Sequence, residues 1–350
     1  IPGLVKELDT TEFCKLLKIS KDYFDNKIER TKRYSTRIPS VFLAHLSKED
    51  YGFLAEKIRK YDGFYIQKRN LRQYNTTIGA NVLGYVAEVN RSNLEKDNYY
   101  SQGDIIGKQG VELSYEKYLR GEKGIKFIQK DRFNRDIGSF NDGLNDINSI
   151  PGNDLTITID SELQEYGELL MSNKKGAIVA IEPSSGELLT LVSAPSYNPN
   201  LLVGRERSKN YFELYQDSIY KPLLDKGLLS TFPAGSPFKV IVGLIALEEE
   251  VISEKSTIFC KGQYIYGRNK KSMKCHCGGG YRNIYNAISE SCNSYFADIY
   301  RKTISKNNKI SDNFNSWSES VKSFGLGNYL NNDLPIGKKG MIPTSEFYDR

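Results

Sequence analysis

The stretch Phe232-Pro-Ala-Gly-Ser236-Pro-Phe-Lys239-Val-Ile-Val-Gly-Leu-Ile-Ala-Leu247 decides how the rest of the sequence is interpreted. Pro and Gly end a loop, and Pro237 suits the first turn of a helix, where its missing N–H costs nothing. The residues after Lys239 are apolar around most of a helical circumference, so the helix is predicted to be buried. Ser236 is therefore predicted at the helix N-terminus, with Lys239 one turn away on the same face.

This spacing places a hydroxyl beside an amine. A serine hydroxyl is inert until a base takes its proton, and a lysine amine can act as that base only when burial favours its neutral form. The helix N-terminus also presents N–H groups where an oxyanion could develop. A capping serine followed by a lysine on a core helix gives the same spacing, so Ser-x-x-Lys alone does not establish a catalytic pair.

A second triplet, Ser291-Cys292-Asn293, follows a predicted helix that ends near Glu290. In such a triplet the hydroxyl and the amide can point the same way. The hydroxyl is then placed to relay a proton to a leaving amine, and the amide to hold a peptide substrate or the catalytic lysine. Taken alone, the triplet is more typical of a polar loop or cap.

Upstream segments predict regular elements. Residues 154–160 alternate like a strand, and Ser161–Met171 has helical spacing, with Asp160 and Ser161 as candidate caps. Residues 176–182 and 187–193 are apolar runs around a Pro-Ser-Ser-Gly turn, which predicts a hairpin at the centre of a sheet, buried on both faces.

Together these motifs resemble the class B penicillin-binding proteins, whose signature joins Ser-x-x-Lys, Ser-x-Asn and Lys-Thr-Gly. Gly176–Pro199 is similar to the segment that opens their transpeptidase domain. Gly107-Lys-Gln-Gly-Val-Glu112, with Tyr118-Leu-Arg-Gly121, is similar to the signature of their non-catalytic pedestal. Within the class, the motifs are most similar to the penicillin-binding protein 2 branch, the transpeptidases of cell elongation.

The resemblance implies an α+β fold with two domains. Residues 1–150 are expected to form the pedestal, of the dimerisation type, and residues 151–350 a transpeptidase domain with helices on a mainly antiparallel sheet, incomplete at its C-terminus. The stretch 138–152 is rich in Gly, Asn, Asp and Ser, which indicates a linker at this boundary.

The resemblance also implies the chemistry. Ser236, deprotonated by Lys239, attacks a peptidoglycan stem peptide ending D-Ala-D-Ala, and Ser291 passes a proton to the leaving D-Ala. Asn293 completes the expected site. An amine of a second stem resolves the acyl-enzyme, beta-lactams acylate the same serine, and no cofactor is required. The expected partner is a membrane glycosyltransferase of the elongation machinery.

One departure concerns the third motif, since no Lys-[Ser/Thr]-Gly occurs in the chain. In the family it lies on a later strand, so we expect it beyond Arg350 and expect the chain by itself to be inactive or only weakly acylated. We likewise expect an N-terminal transmembrane helix upstream of Ile1, which would anchor the protein at the periplasmic face of the inner membrane. The longest apolar run, Val240–Leu247, is too short to span a bilayer.

Four of the five cysteines fall between residues 260 and 292. Cys260, Cys275, His276 and Cys277 are candidate ligands for a structural zinc, which usually takes four thiolates or imidazoles. Three adjacent residues do not readily bind one ion, and a Cys260–Cys275 disulfide or free thiols are the alternatives. Cys292 is interpreted as a small core residue, with metal ligation as its alternative.

Composition excludes other classes. The 49 basic and 43 acidic residues are interspersed, which is typical of a solvated surface and excludes a nucleic-acid-binding protein. Two histidines make a His-based hydrolase triad improbable. Two alternatives remain, namely a serine beta-lactamase or beta-lactam sensor, against which the pedestal signature argues, and a non-catalytic scaffold of the elongation machinery.

Overall fold

The computed structural model describes residues 1–5, 8–44, 46, 48–67, 71–132, 136–330, 332–334 and 336–348. It combines helices with antiparallel strand pairs, which confirms the predicted α+β class. By contacts between residues the chain divides into two compact units, Ile1–Gly227 and Leu228–Arg350. This division by contacts does not test the predicted domain boundary at residue 150, which stays a prediction.

The helices are spread along both units. They are α1 Thr10–Leu17, α2 Lys21–Tyr34, α3 Lys48–Lys57, α4 Ala80–Leu83, α5 Arg91–Lys96, α6 Gly110–Ser114, α7 Glu116–Leu119, α8 Ser161–Leu170, α9 Arg207–Gln216, α10 Lys226–Leu229, α11 Phe238–Glu248, α12 Ile284–Ser289, α13 Asn293–Ile304, α14 Ile310–Ser323 and α15 Ser345–Tyr348. Short 3₁₀ helices occupy Pro2–Leu4, Ile58–Lys60, Phe140–Gly143 and Pro199–Leu202.

The described strands form two-stranded antiparallel pairs. They are β1 Val86–Glu88 with β2 Ile105–Gly107, β3 Ile128–Lys130 with β4 Asp136–Ser139, β5 Gly176–Ile181 with β6 Leu188–Ala194, β7 Ile258–Cys260 with β10 Gly280–Arg282, and β8 Gln263–Tyr266 with β9 Lys271–Lys274. The β3–β4 pair is followed by isolated bridges that join residues 122 and 125 to residues 150 and 147. The stretch 138–152 therefore folds back on the chain instead of running as a free linker.

The N-terminal part of the first unit is held by an aromatic cluster. Phe13 on α1 is fully buried and lies against the rings of Phe24, Phe42, Tyr61 and Phe64, at centroid distances of 4.5–6.2 Å. Aromatic pairs at such distances add to the stability gained from burial alone. This small, otherwise polar segment thus has a core of its own.

A buried ion pair holds the segment that carries the pedestal signature. Arg72 binds Glu112 through two hydrogen bonds of 2.6 Å each, and the Tyr74 hydroxyl donates to the same carboxylate at 3.0 Å. The Glu112 side chain is only 7% exposed, and that of Arg72 is 35% exposed. A buried carboxylate needs such partners, because an unpaired charge away from water is costly.

Helix α8 packs on the β5–β6 hairpin through a polar contact. Gln164 accepts hydrogen bonds from the Thr190 hydroxyl at 2.6 Å and the Leu191 N–H at 2.9 Å. The N-cap of α8 is Asp160, whose carboxylate accepts from the Leu163 N–H, so of the two candidate caps Asp160 is confirmed and Ser161 was wrong. Ser161 is already the first residue of α8, whereas the N-cap is the residue just before the first helical turn.

Two strand predictions in this region need correction. Residues 154–160 form no strand; the Asp160 N–H donates to the Leu189 carbonyl, so this stretch runs extended beside β6 without building a ladder. Strand β6 is mostly buried as expected, but β5 is not, since Val179 is 44% and Ile181 is 52% exposed. Within the described residues β5 pairs only with β6, which leaves its other edge without a strand.

The second unit is built around α11, α13 and α14. Its core contains the buried residues Val242, Ile245, Ala246, Ala287, Tyr295, Phe296, Ile299, Trp317 and Val321. One face of α11 stays outside this core, where Val240 and Leu244 are 46% and 47% exposed. The prediction that α11 is buried around most of its circumference was therefore wrong on this face, because residues four apart share one side of a helix.

No helix in the described part of the chain is both long and apolar enough to cross a bilayer.

The Arg72–Glu112 pair can be compared with an exposed pair of the same residue types. Glu112→Gln should lower the free energy of unfolding by about 2 kcal/mol, because it leaves a partly buried guanidinium without its charge partner. Glu29→Gln, in a pair whose side chains are 80% and 67% exposed, should cost less than about 0.5 kcal/mol. Urea unfolding of the two variants checks this, and equal costs would contradict the assigned role of the buried pair.

Candidate active site

Ser236 lies in a tight turn immediately before α11. Gly235 adopts a left-handed φ of 66°, which glycine tolerates, and Pro237 forms the N-cap. The Lys239 N–H donates to the Ser236 carbonyl at 3.0 Å, so the turn leads directly into the helix. Ser236 is exposed to solvent. Its hydroxyl is thus accessible and lies at the positive end of the helix dipole.

The Lys239 amine is held by the second motif. Nζ donates to the Ser291 carbonyl at 2.7 Å and to the Ser291 hydroxyl at 2.8 Å. The Ser291 hydroxyl in turn donates to Ser236 Oγ at 3.0 Å. A continuous chain of hydrogen bonds therefore runs from the amine through Ser291 to Ser236, across two motifs that are far apart in sequence.

The surroundings of Lys239 favour the neutral amine. Burial lowers its pKa, while the charge of the nearby thiols of Cys275, Cys292 and Cys277 acts in the opposite direction. The ring of buried Phe296 lies 5.9 Å from Nζ and forms one wall of the site. A lysine with a lowered pKa has a larger neutral fraction at neutral pH, as a general base requires.

Ser291 occupies a conformation that serine rarely adopts. Its φ is 52°, in the left-handed region. The Ser291 N–H donates to the Ile288 carbonyl and the Cys292 N–H to the Ala287 carbonyl, so both bonds of a Schellman motif close α12. Glycine is the usual residue at this point because it has no Cβ. A serine here carries a conformational cost of about 1 kcal/mol.

Asn293 points elsewhere. Its Nδ2 donates to the carbonyl of Lys274 at 2.9 Å, at the end of β9. The amide therefore fixes the β8–β9 hairpin to the start of α13, one residue beyond Cys292. The structure brings Ser236, Lys239 and Ser291 together and places Asn293 at the edge of this group.

The cysteines form a compact group close to the same loop. The sulfur atoms of Cys260, Cys275, Cys277 and Cys292 all lie within 4.8 Å of one another. The shortest Sγ–Sγ distances are 3.1 Å from Cys275 to Cys277 and 3.5 Å from Cys277 to Cys260. All five cysteines of the chain are free thiols in this structure, including Cys14.

The ligand set expected from the sequence needs one exchange. His276 is exposed and outside the group, whereas Cys292 is fully buried inside it. In an extended segment neighbouring side chains point to opposite sides, so Cys275 and Cys277 share one side and His276 the other. Cys292 is the N-cap of α13, and its sulfur accepts from the Tyr295 N–H at 3.4 Å.

The geometry and chemistry of the four thiols fit zinc. Tetrahedral Zn–S bonds of about 2.3 Å correspond to sulfur separations of about 3.8 Å, close to the distances in this group. Burial acts to raise the pKa of Cys275, but hydrogen bonds at the Ser294 backbone and from Cys277 outweigh it and lower that pKa to about 5. One thiolate is thus favoured before any metal binds, while burial raises the pKa of Cys277 and Cys292.

Sequence reasoning assigned Ser291 to the leaving group and did not place it between Lys239 and Ser236. Its interpretation of Cys292 as a small core residue is confirmed, and the alternative of metal ligation agrees with the place of this thiol in the four-cysteine group. The signal for Cys292 was its position next to Ser291 in a chain whose other cysteines cluster just upstream. No sequence signal pointed to the Lys274 carbonyl, because any residue supplies that group.

Family models match both parts of the chain. The model described as Penicillin-binding Protein dimerisation domain matches residues 2–157. The model described as Penicillin binding protein transpeptidase domain matches residues 176–350. The two matches follow one another in the order that the pedestal and transpeptidase signatures predict.

Curated relatives agree with the family models. The peptidoglycan D,D-transpeptidase MrdA of Acinetobacter baumannii is 31% identical over 331 residues, covering 93% of this chain and 47% of the relative. MrdA of Escherichia coli K12 is 29% identical, covering 89% of this chain and 47% of the relative. The chain spans about half the length of these curated relatives.

Solved structures show the same architecture. The complex between PBP2 and MreC from Helicobacter pylori matches with a TM-score of 0.75 and 28% identity, over 98% of this chain and 63% of that chain. Pseudomonas aeruginosa PBP2 in complex with WCK 5153 matches with a TM-score of 0.63 and 31% identity, over 79% of this chain and 55% of that chain. On these family models, sequences and structures, the chain belongs to the penicillin-binding proteins, in the branch of penicillin-binding protein 2.

Proposed function

We propose that this chain carries the nucleophile of a peptidoglycan D,D-transpeptidase, a serine acyltransferase that cross-links stem peptides and is a target of beta-lactams. The observation that carries the proposal is the hydrogen-bond chain from Lys239 through Ser291 to Ser236. A half-buried amine, a bridging hydroxyl and an exposed hydroxyl are the parts that acyl transfer requires. Relatives named peptidoglycan D,D-transpeptidase support the same reaction.

In the acylation step, neutral Lys239 takes the proton of Ser236 through the Ser291 hydroxyl. When the amine is charged, Lys239 donates to Ser291 and Ser291 donates to Ser236. When the amine is neutral, these hydrogen bonds can reverse, so that Ser236 donates to Ser291 and Ser291 to Lys239, because a hydroxyl both donates and accepts. Ser236 Oγ then bonds to the penultimate D-Ala carbonyl of a stem ending D-Ala-D-Ala. The dipole of α11 stabilises the resulting oxyanion.

Collapse of the tetrahedral intermediate breaks the C–N bond to the terminal D-Ala. The proton held by Lys239 returns through Ser291 to the leaving amine, which leaves an ester on Ser236. An amine of a second stem attacks this ester and gives up a proton along the same path. Ser236 regains its proton, the two stems are joined, and no cofactor takes part.

A structural zinc is a separate proposal. Cys260, Cys275, Cys277 and Cys292 would hold the ion, which would supply rigidity and no chemistry on the substrate. Because Cys292 follows Ser291 directly and caps α13, its ligation would fix the loop that holds the Lys239 amine. Their compact arrangement supports this proposal.

The relatives support proposals on location and partners. Helicobacter pylori PBP2 forms a complex with MreC, and we propose an MreC-type protein as one partner of this protein. A membrane glycosyltransferase of the elongation machinery is the second proposed partner. Because cell wall lies outside the inner membrane, we propose that the reaction takes place at the periplasmic face of that membrane.

Labelling with a fluorescent penicillin tests the proposed reaction. The full-length protein should be labelled at Ser236, and Ser236→Ala should abolish labelling because it removes the proposed nucleophile. The matched control Ser316→Ala, at an exposed position on α14, should label like the wild type. Absence of labelling in the wild-type protein would leave the scaffold function as the better account.

Two substitutions at position 291 distinguish the role of the Ser291 hydroxyl from that of its left-handed backbone conformation. Ser291→Ala and Ser291→Gly both remove the relay, so each should lower the acylation rate by about a hundredfold or more. Ser291→Gly should be more stable than Ser291→Ala by about 1 kcal/mol, because glycine tolerates the left-handed conformation. Acylation kinetics and urea unfolding measure the two effects, and recovery of acylation in the glycine variant would exclude the relay.

Metal analysis tests the zinc proposal without reference to activity. Protein purified under reducing conditions should contain about one zinc per chain, and Co²⁺ in its place should give thiolate charge-transfer bands of a tetrahedral site. Cys277→Ser should lose the metal, while His276→Ala and Cys14→Ser should retain it. Zinc loss in the histidine variant, or retention in Cys277→Ser, would contradict the four-thiol assignment.

A further inference from the structure

The β8–β9 hairpin and its flanks carry an unusual concentration of positive charge. Residues 255–289 contain seven Lys and Arg residues and no Asp or Glu, whereas the whole chain has a net charge of +6. The excess positive charge of the protein therefore lies in this one segment. The cations of the hairpin and of the two residues before it are Lys261, Arg268, Lys270, Lys271 and Lys274.

The strand register divides the hairpin into two sides. Tyr264 pairs with Met273, and both are half-buried on the side toward α13. Gln263 pairs with Lys274, and Ile265 with Ser272, and these four side chains are exposed on the opposite side. The outer side thus has a charged end at Lys274, the last residue of β9. Its centre is apolar and exposed, because Ile265 is 58% exposed.

The hairpin cations have no acidic partner among the described residues, although paired charges occur close by in sequence. Asp298 on α13 binds Arg301 at 3.1 Å and Lys302 at 2.9 Å. Glu290 binds Arg282 at 2.8 Å. The acids of this region are therefore already neutralised, while the exposed cations of the hairpin are available to an anionic ligand.

The hairpin is joined to the reactive group by a direct contact. Asn293 Nδ2 donates to the Lys274 carbonyl at 2.9 Å, and Cys275 N–H donates to the Gly262 carbonyl at 2.9 Å, which closes the base of the hairpin. Asn293 lies two residues beyond Ser291, which contacts both Lys239 and Ser236. The charged end of the hairpin is therefore connected through Asn293 to the loop that carries Ser291.

We propose that the β8–β9 hairpin, with Lys261, is a docking surface for a carboxylate-bearing peptide, namely the acidic part of a peptidoglycan stem whose terminal carbonyl lies at Ser236. This inference rests on the proposed function and assigns the recognition of substrate carboxylates to a surface outside the reacting groups. Complementary charge raises the rate of encounter and fixes the register of the bound strand. An exposed β-edge with alternating polar and apolar side chains also suits an extended peptide.

Peptide binding tests the proposal in a chain that does not react. In the Ser236→Ala background, a pentapeptide ending D-Ala-D-Ala with a free acidic residue is titrated against the same peptide with that side-chain carboxylate amidated. Fluorescence anisotropy with a neutral dye reports the affinity. Lys261→Gln/Lys274→Gln should weaken binding of the acidic peptide about fivefold, at about 0.5 kcal/mol for each exposed charge pair, and should leave the amidated peptide unaffected.

The control removes two charges elsewhere in the same unit. Lys338 and Lys339 are exposed, and Lys338→Gln/Lys339→Gln should retain wild-type affinity for the acidic peptide. Equal affinities of the two double variants, or equal affinities for the acidic and amidated peptides, would overturn the proposal. Hairpin-dependent binding to vesicles with anionic lipid, without discrimination between the peptides, would assign the surface to a membrane and overturn it as well.

Labelling by fluorescent penicillin in chains that retain Ser236 distinguishes failure of the docking surface from failure of the proposed acyltransferase function. If labelling is intact while the hairpin variant binds both peptides like the wild type, only the docking surface is refuted. If wild-type protein is not labelled, the proposed acyltransferase itself fails, and the peptide data no longer bear on substrate recognition. Urea unfolding of both double variants should match that of the wild type, because all four side chains are exposed.

Discussion

The contact between the Lys239 amine and Ser291 is the interaction on which the rest of the site depends. Nζ is bound to both the carbonyl and the hydroxyl of Ser291, so one residue fixes the position of the amine and connects it to Ser236. A lysine side chain free in solvent would be charged and mobile. Here burial lowers its pKa, and two hydrogen bonds restrict it. The core around α11, α13 and α14 therefore serves chiefly to hold three polar groups in line.

The loop after α12 shows how the fold secures that contact. Ser291 stands where a helix end usually has glycine, and its backbone is held by the two Schellman bonds to Ile288 and Ala287. The next residue, Cys292, begins α13 with its thiol in the four-cysteine group. A conformational cost at one residue is thus offset by capping and by the packing of its neighbour, which is how strain persists at functional positions. The thiol group and the hydroxyl relay belong to one loop, so a metal bound at the former would steady the latter.

Local patterns in the sequence predicted the parts of this site that lie within one element. The spacing from Ser236 to Lys239 follows from helical geometry, and the β5–β6 hairpin follows from its apolar runs and turn. That Cys292 and not His276 completes the four-cysteine group could not be predicted in the same way. It depends on how the end of β9 and the start of α13 approach each other in the folded chain. Nor does composition reveal that Val240 on α11 stays exposed, since an apolar residue is compatible with either environment. The resemblance to a known family predicted the reaction, whereas the structure shows that Ser291 bridges Lys239 and Ser236.

A neutral amine within reach of Ser236 is the central claim, and the pH dependence of acylation tests it most directly. The second-order rate of labelling of the full-length protein by a fluorescent penicillin should be measured between about pH 6 and pH 10. The rate should rise with pH, because only the deprotonated amine accepts a proton, with a midpoint below the ordinary lysine pKa of about 10.4. Lys239→Arg, which stays charged throughout this range, should abolish the rise together with the reaction. A rate that is independent of pH, or a pH profile that survives Lys239→Arg, would contradict the account.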